Sequence, residues 1–291
     1  MDVLTEAPTG IERRLPGEET LHLGDEVRTA VMVWRRELIR FARTRTRILT
    51  GLTQPVLFLF VLGYGLSPLV GSTAGFDFKK FVFPGVVAMS VVSTAIFSAI
   101  SIVWDREFGF LREMLVAPVS RLALVAGKTA GGATVATAQG TIMLALAPLI
   151  GVELTPLLVV EVVGCELLMA LALTAFGVFV ASRISKMEGF QVVMQLVLLP
   201  MLFLSGAMFP LSGLPDWLAV ITRVNPLTYA VDPLRRVVFA GQHMPPAAVA
   251  RFPTGVTLFG ITLPLAAELG IVAVFAAIFL VVAVRGFGRA E

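Results

Sequence analysis

Residues 83–121 read FPGVVAMSVVSTAIFSAISIVWDREFGFLREMLVAPVSR. The first part, Phe83–Val103, carries no charged side chain and is long enough to cross the hydrocarbon core of a bilayer as a helix. The second part, Asp105–Arg121, packs three acids and three arginines into a short connection before apolar sequence resumes. Backbone polar groups have no water to bond inside a bilayer, so a greasy run of this length reads as α-helix.

The rest of the chain repeats that alternation. Of its 291 residues 57% are hydrophobic and 15% charged, with a mean hydropathy of +0.88. A soluble domain is usually about 45–50% apolar and about 25% charged. The composition predicts an all-α integral membrane protein with six transmembrane helices: Ile48–Leu66, Phe83–Val103, Leu124–Ile150, Leu157–Ser182, Phe190–Leu211 and Ile261–Val284. Residues 48–284 then form one transmembrane domain, preceded by a flexible cytoplasmic tail over 1–24 and followed by a cytoplasmic C-terminus over 285–291. With the N-terminus inside, seventeen of the 23 lysines and arginines fall on cytoplasmic segments and six on external ones, as cytoplasmic loops require. Both termini are therefore expected in the cytoplasm of a multi-pass plasma-membrane protein of bacterial type. The net charge of +3 follows from that bias and calls for membrane lipids, not nucleic acid.

Residues 25–47 precede the first span. Val27, Val31, Trp34, Leu38 and Phe41 recur at steps of 4, 3, 4 and 3 residues, which places them on one helical face. Arg28, Arg35, Arg36, Arg40 and Arg43 occupy the remainder. An arginine-rich helix with a tryptophan on its apolar side is suited to lie in the membrane interface.

Catalytic patterns are incomplete. VAGKTAGG (125–132) ends like a phosphate-binding loop, but that loop needs a glycine where Leu122 stands, and the segment runs directly into a span. Gly127, Gly131, Ala136 and Gly140 read instead as small residues for close helix packing. LSGAM (204–208) and LSGLP (211–215) are fragments of an ATPase signature only. His22 and His243 form no zinc or nucleophile pattern, and the lone Cys165 excludes an internal disulfide. No catalytic residue, bound cofactor or metal ligand is expected on this chain. Glu161, Glu166 and Glu268 are the acids within spans; Glu161 and Glu166 point to different faces and make no paired site. Ser90, Thr94, Ser98 and Ser101 form a polar stripe, and Gln191 and Gln195 share a face. Such groups turn from lipid toward a neighbouring helix or a cavity, so Ser90, Thr94, Ser98, Gln191 and Gln195 are candidates for a substrate path.

Three segments together resemble one family: FPGVVAMSVVSTAIFSA (83–99), DREFGFLREMLVAPVSRLALVAGK (105–128) and LFLSGAMFPLSGLPDWLAVITRVNPLTYAVDPLRR (202–236). In order and spacing they look like the ABC type-2 exporter permeases, closest to the daunorubicin-resistance branch of drug and natural-product exporters. Phe110 and Arg112 depart from that pattern, which often has threonine and glutamate there. The resemblance implies six spans, a homodimer or heterodimer of permeases, and two copies of a separate cytoplasmic ATPase that uses ATP and magnesium. It also assigns Asp105, Glu107, Phe108, Leu111, Arg112, Glu113 and Leu115 to a coupling helix against that ATPase. Their pattern agrees: Phe108, Leu111 and Leu115 make one apolar face, charges flank it, and Pro118 stops the helix.

After the fifth span, Pro215 suits a helix start and Asn225-Pro226 an end; Asp232 reads as an N-cap with Pro233 following and Gly241 as a stop. Two short helices here resemble re-entrant extracellular elements, with Asn225, Pro226, Tyr229, Asp232 and Arg235 as an outer gate. Arg235 and Arg236 either pair with Asp232 or meet lipid phosphates. The expected function is ATP-driven export of a hydrophobic or amphipathic compound, a drug, natural product or lipid, by alternating access. Export of a lipid-linked glycan is the alternative within transport; a non-transporting scaffold and an ion-coupled carrier are the alternatives outside it.

Overall fold

The computed structural model describes residues 23–65, 67–70, 78–109, 120–211, 214–242, 245–251, 254–258 and 260–287. The elements in chain order are α1 (Leu23–Arg43), α2 (Arg45–Gly65), α3 (Ser67–Val70), α4 (Phe78–Ser98), α5 (Ile100–Glu107), α6 (Arg121–Leu144), α7 (Pro156–Ala181), α8 (Met187–Phe203), α9 (Asp216–Val224), α10 (Thr228–Ala240), α11 (Pro246–Arg251), a hairpin of β1 (Thr257–Leu258) and β2 (Ile261–Thr262), and α12 (Leu265–Phe287). A 3-10 turn, Ala147–Ile150, follows α6. The hairpin is the one strand pairing among the described residues. The tail over 1–22 lies outside them.

Each of the six expected spans falls largely on a helix. Four helices are long and apolar enough to cross a membrane: Ile48–Gly65, Phe78–Glu107, Pro156–Ala181 and Leu265–Gly286. Arg121–Leu144 has the length at 24 residues, but Lys128 and its many glycines and threonines make it less apolar. Met187–Phe203 is apolar but has 17 residues.

α4 is the central element and packs against α2, α6, α7, α8 and α10. Phe81, Val82, Phe83, Val86, Val91, Val92 and Ile96 are sealed from solvent on it, as an all-round apolar sequence demands. The chain passes up and down through the bundle, so two ends can be defined. At the first end the close of α5 meets the start of α6, the close of α7 and the start of α8. At the second, the turn after α8 sits against α4, and α10 ties to the start of α12.

Several boundaries differ from expectation, each for a local reason. α4 and α5 run as one 30-residue helical segment, so Asp105 and Glu107 close the span's own helix. Gly109, at φ 82°, turns the chain out of it. α6 starts at Arg121 because the Ser120 hydroxyl accepts the Ala123 N–H at 3.0 Å. α8 ends at Phe203, short of the expected Leu211, because Gly206 takes φ 79°. The last span starts at Leu265 and not Ile261, which the Gly260 turn places in the hairpin. α10 starts at Thr228, so Asp232 is no N-cap and Pro233 lies inside the helix. The Asn225 side chain organises that start by accepting the Leu227 N–H at 3.1 Å.

Candidate functional site

At the first end a charged node joins three helices. Lys128, 6% exposed in the second turn of α6, donates to Asp105 at 2.9 Å and to the Ser101 hydroxyl at 2.9 Å, and lies 3.3 Å from Glu37 of α1. Arg36 of α1 reaches Asp105 at 3.5 Å. The lysine of the phosphate-loop lookalike is thus an internal cation held by acids from α1 and α5. Arg106 donates to the carbonyl of Ser182 at 3.0 Å, where α7 ends. Glu107 accepts the N–H of Met187, the first residue of α8, at 2.9 Å. Phe108 is exposed and packs on Trp104. Leu111, Arg112, Glu113 and Leu115 lie outside the described residues, with Phe110 and Pro118.

α1 does not stand off from the bundle. It lies along α6, where Gly127 and Gly131 leave room for Ala30, Val33, Trp34 and Glu37. The Trp34 indole donates to Thr134 at 3.1 Å. Leu38 and Phe41 are partly buried, while Val27 and Val31 face outward. The apolar spacing therefore divides between two surfaces, with Arg35 and Arg36 on the solvated side.

Between the two ends, α1, α2, α4, α6 and α8 line a cavity of about 390 Å³. Thr50, Gln54, Ser93, Thr94, Gln139 and Gln195 supply its polar groups; Phe41, Phe58, Met89, Phe97, Leu198, Leu202 and Phe203 supply its apolar wall. Among the described residues no charged side chain lines it. Thr94 and Gln195 of the expected path meet here. Ser90 is buried away from the cavity, Ser98 hydrogen-bonds the Ala95 carbonyl at 2.7 Å, and Gln191 is exposed outside it. Gln139, absent from the sequence reading, is 1% exposed; its amide nitrogen donates to the Ile48 carbonyl at 3.1 Å and its buried Oε1 has no partner among the described residues. Its only signal in the sequence is a long amide inside an otherwise small-residue helix.

At the second end, the Gly206 and Ala207 carbonyls accept from Arg235, whose guanidinium lies 4.3 Å above the Phe81 ring. Burial pulls Arg235 down to about 10, with Asp232 acting the other way, so it stays charged at neutral pH. Asp232 accepts from Arg236 at 2.6 Å and from the Gly255 N–H at 3.0 Å. Asn225 donates to the Met201 carbonyl at 2.7 Å, and the Tyr229 hydroxyl to the Arg223 carbonyl at 2.6 Å. Pro226 is partly buried in the turn between α9 and α10. The acids within spans have separate settings. Glu268 bonds Arg236 at 2.8 Å, Glu166 is buried with Thr141 at 3.3 Å, and Glu161 is exposed.

The model of the ABC-2 type transporter family matches residues 29–239. The chain is 32% identical over 211 residues to nodulation protein J of Rhizobium leguminosarum bv. viciae, covering 70% of this chain and 79% of that one. It is 29% identical over 206 residues to a putative transport permease ycf38 of Cyanophora paradoxa, covering 69% and 71%. It is 26% identical over 208 residues to the inner membrane transport permease YadH of Escherichia coli, covering 70% and 80%. The matched span takes in the charged node, the cavity and the second end through α10.

Proposed function

We infer function from one premise: the chain belongs to the ABC-2 type transporter family. It is a membrane protein of the transport-permease kind. The finer reading is a permease subunit that exports a hydrophobic or amphipathic compound across the plasma membrane by alternating access, driven by a separate ATPase. Six helices cross the membrane in this reading, both termini are cytoplasmic, and a second permease copy or a related permease completes the path.

The observation that supports export of such a compound is the cavity. Its wall mixes phenylalanines and leucines with neutral amides and hydroxyls. An uncharged ligand with a few hydrogen-bonding groups matches that surface, because a full charge would enter it without a counter-ion. Beside it α2 and α8 carry bare Leu57, Val61, Val192 and Leu196, which suit lipid or a second permease. The segment from Asp105 to Arg121 serves as the ATPase contact, rooted in the charged node. The α9–α10 turn with α10, carrying Asn225, Pro226, Tyr229, Asp232 and Arg235, acts as the outer gate.

The test reconstitutes the permease with its ATPase and measures ATP hydrolysis over a compound panel. Stimulation by neutral amphiphiles should fall about tenfold or more in Gln195→Leu and Thr94→Phe. Equal stimulation in both variants would remove the cavity from the path. A second arm uses Glu113→Arg with Leu111→Asp, which should weaken ATPase capture and uncouple hydrolysis. Unchanged capture would remove the contact assignment.

A further inference from the structure

We propose that the polar cavity beneath α9 binds the headgroup of an anionic, hydroxyl-bearing glycerophospholipid, with Arg235 as the cation for its phosphate and the bare apolar face of α9 as the seat of an acyl chain.

The two neighbouring arginines have opposite situations. Arg236 is fully engaged: it bonds Asp232 at 2.6 Å, Glu268 at 2.8 Å and the Leu263 carbonyl at 2.9 Å. Arg235 is 4% exposed and has no ion pair among the described residues. Its terminal nitrogen uses backbone carbonyls, and its Nε–H is buried without an acceptor. Asp232 supports its charge but spends its oxygens on Arg236 and the Gly255 N–H, so Arg235 keeps a buried donor without an acceptor, which an anion supplies.

Arg235 lines a cavity of about 240 Å³, a volume suited to one small polar headgroup. Ser205, Thr222 and Thr228 also line it, and each gives its hydroxyl proton to a backbone carbonyl. The threonine oxygens therefore keep lone pairs for the cavity, and Ser205, which already accepts the Ala207 N–H at 3.2 Å, keeps one. A phosphodiester without free hydroxyls offers them no proton in return. A phosphodiester carrying free hydroxyls, as in phosphatidylglycerol, satisfies both sets: its phosphate accepts from Arg235 and its hydroxyls donate to the threonine and serine oxygens.

The other side of α9 explains the lipid. Ala219, Thr222 and Arg223 face the cavity, while Trp217, Val220 and Val224 are 65%, 55% and 77% exposed. One short helix thus has a polar cavity on one flank and an uncovered apolar flank on the other, at an end of a membrane bundle. That is the arrangement a two-part molecule with headgroup and chain fits, and a soluble anion leaves half of it unused. Lipid binding here requires no particular transport cargo.

The full-length chain in detergent, titrated separately with phosphatidylglycerol, diacylglycerol and inorganic phosphate, tests the proposal by native mass spectrometry and by thermal melting against each sample's own lipid-free midpoint. Phosphatidylglycerol should bind about tenfold or more tightly than diacylglycerol. Arg235→Gln should erase that preference. Thr257→Glu, on the exposed hairpin at the cavity wall, should also erase it while leaving the Arg235 backbone bonds in place, which separates lost binding from misfolding. Equal binding of diacylglycerol, stabilisation by inorganic phosphate equal to that by the lipid, or an undiminished preference in Thr257→Glu would each overturn it.

Discussion

Lys128 shows how one residue changes meaning between sequence and structure. In the chain it sits in Gly-Lys-Thr and invites a nucleotide. In the fold it is buried, with Asp105 at 2.9 Å and Glu37 at 3.3 Å as its counter-charges. Removing one member of a buried pair strands the other, at a cost on the order of 3 kcal/mol. Lys128→Met should therefore lower the melting temperature clearly, and adding Asp105→Asn should recover part of the loss. An additive loss in the double variant would show that the two side chains do not stabilise each other. Asp232 at the second end shows the same effect. Asp232 before Pro233 has the local signature of an N-cap, yet its partners Arg236 and Gly255 are made by tertiary structure. The serine stripe divides for a geometric reason. Steps of four residues advance about 40° beyond a full turn, so by Ser98 the side chain is rotated about 80° from Ser90. Ser90 is buried in the core, Thr94 meets the cavity, and Ser98 faces Gly132 of α6.

At the scale of elements, hydropathy located the helices and glycines decided their ends. Periodicity carries no signal for a left-handed residue, so the stops at Gly109 and Gly206 were not legible as boundaries. The packing role of the small residues on α6 was legible, but which neighbour each would admit was not. Gly127 and Gly131 admit α1, while Gly140 admits Val91 and Glu166. A side chain at Gly127 would collide with the Ala30 carbonyl and Val33. Gly127→Val should lift α1 from α6 and, by loosening its helix, speed trypsin cleavage at the already solvated Arg35 and Arg36. An unchanged cleavage rate, with Ala138→Val on the exposed side of α6 as the control, would mean that α1 is held elsewhere.

For the whole molecule, the distribution of lysine and arginine predicts the orientation of every helix. Cys165 is buried, which makes a background of Cys165→Ala convenient for labelling single cysteines in cells. Trp217→Cys on α9 should react with an impermeant maleimide from outside, and Arg121→Cys at the start of α6 only after the membrane is opened. Labelling of both from the same side would refute the six-span arrangement. Fold class and family were readable because they rest on bulk hydropathy and on three ordered segments. The cavity was readable only through Thr94 and Gln195, since Phe41, Gln54 and Gln139 join it from helices distant in sequence.

The bond from Glu107 to the Met187 N–H has a mechanical consequence. Glu107 is the last residue of its helix, and Met187 begins the helix that later supplies Gln195, Leu198 and Leu202 to the cavity wall. Arg106, one residue earlier, grips the Ser182 and Ile184 carbonyls on the preceding turn. The end of α5 is therefore hitched to the foot of α8 like a crank to a shaft. A torque applied to it is delivered at the foot of a rod whose upper length forms one side of the chamber. Cutting that hitch with Glu107→Ala, which removes the acceptor, should leave the chamber's shape intact and loosen its response to a pull.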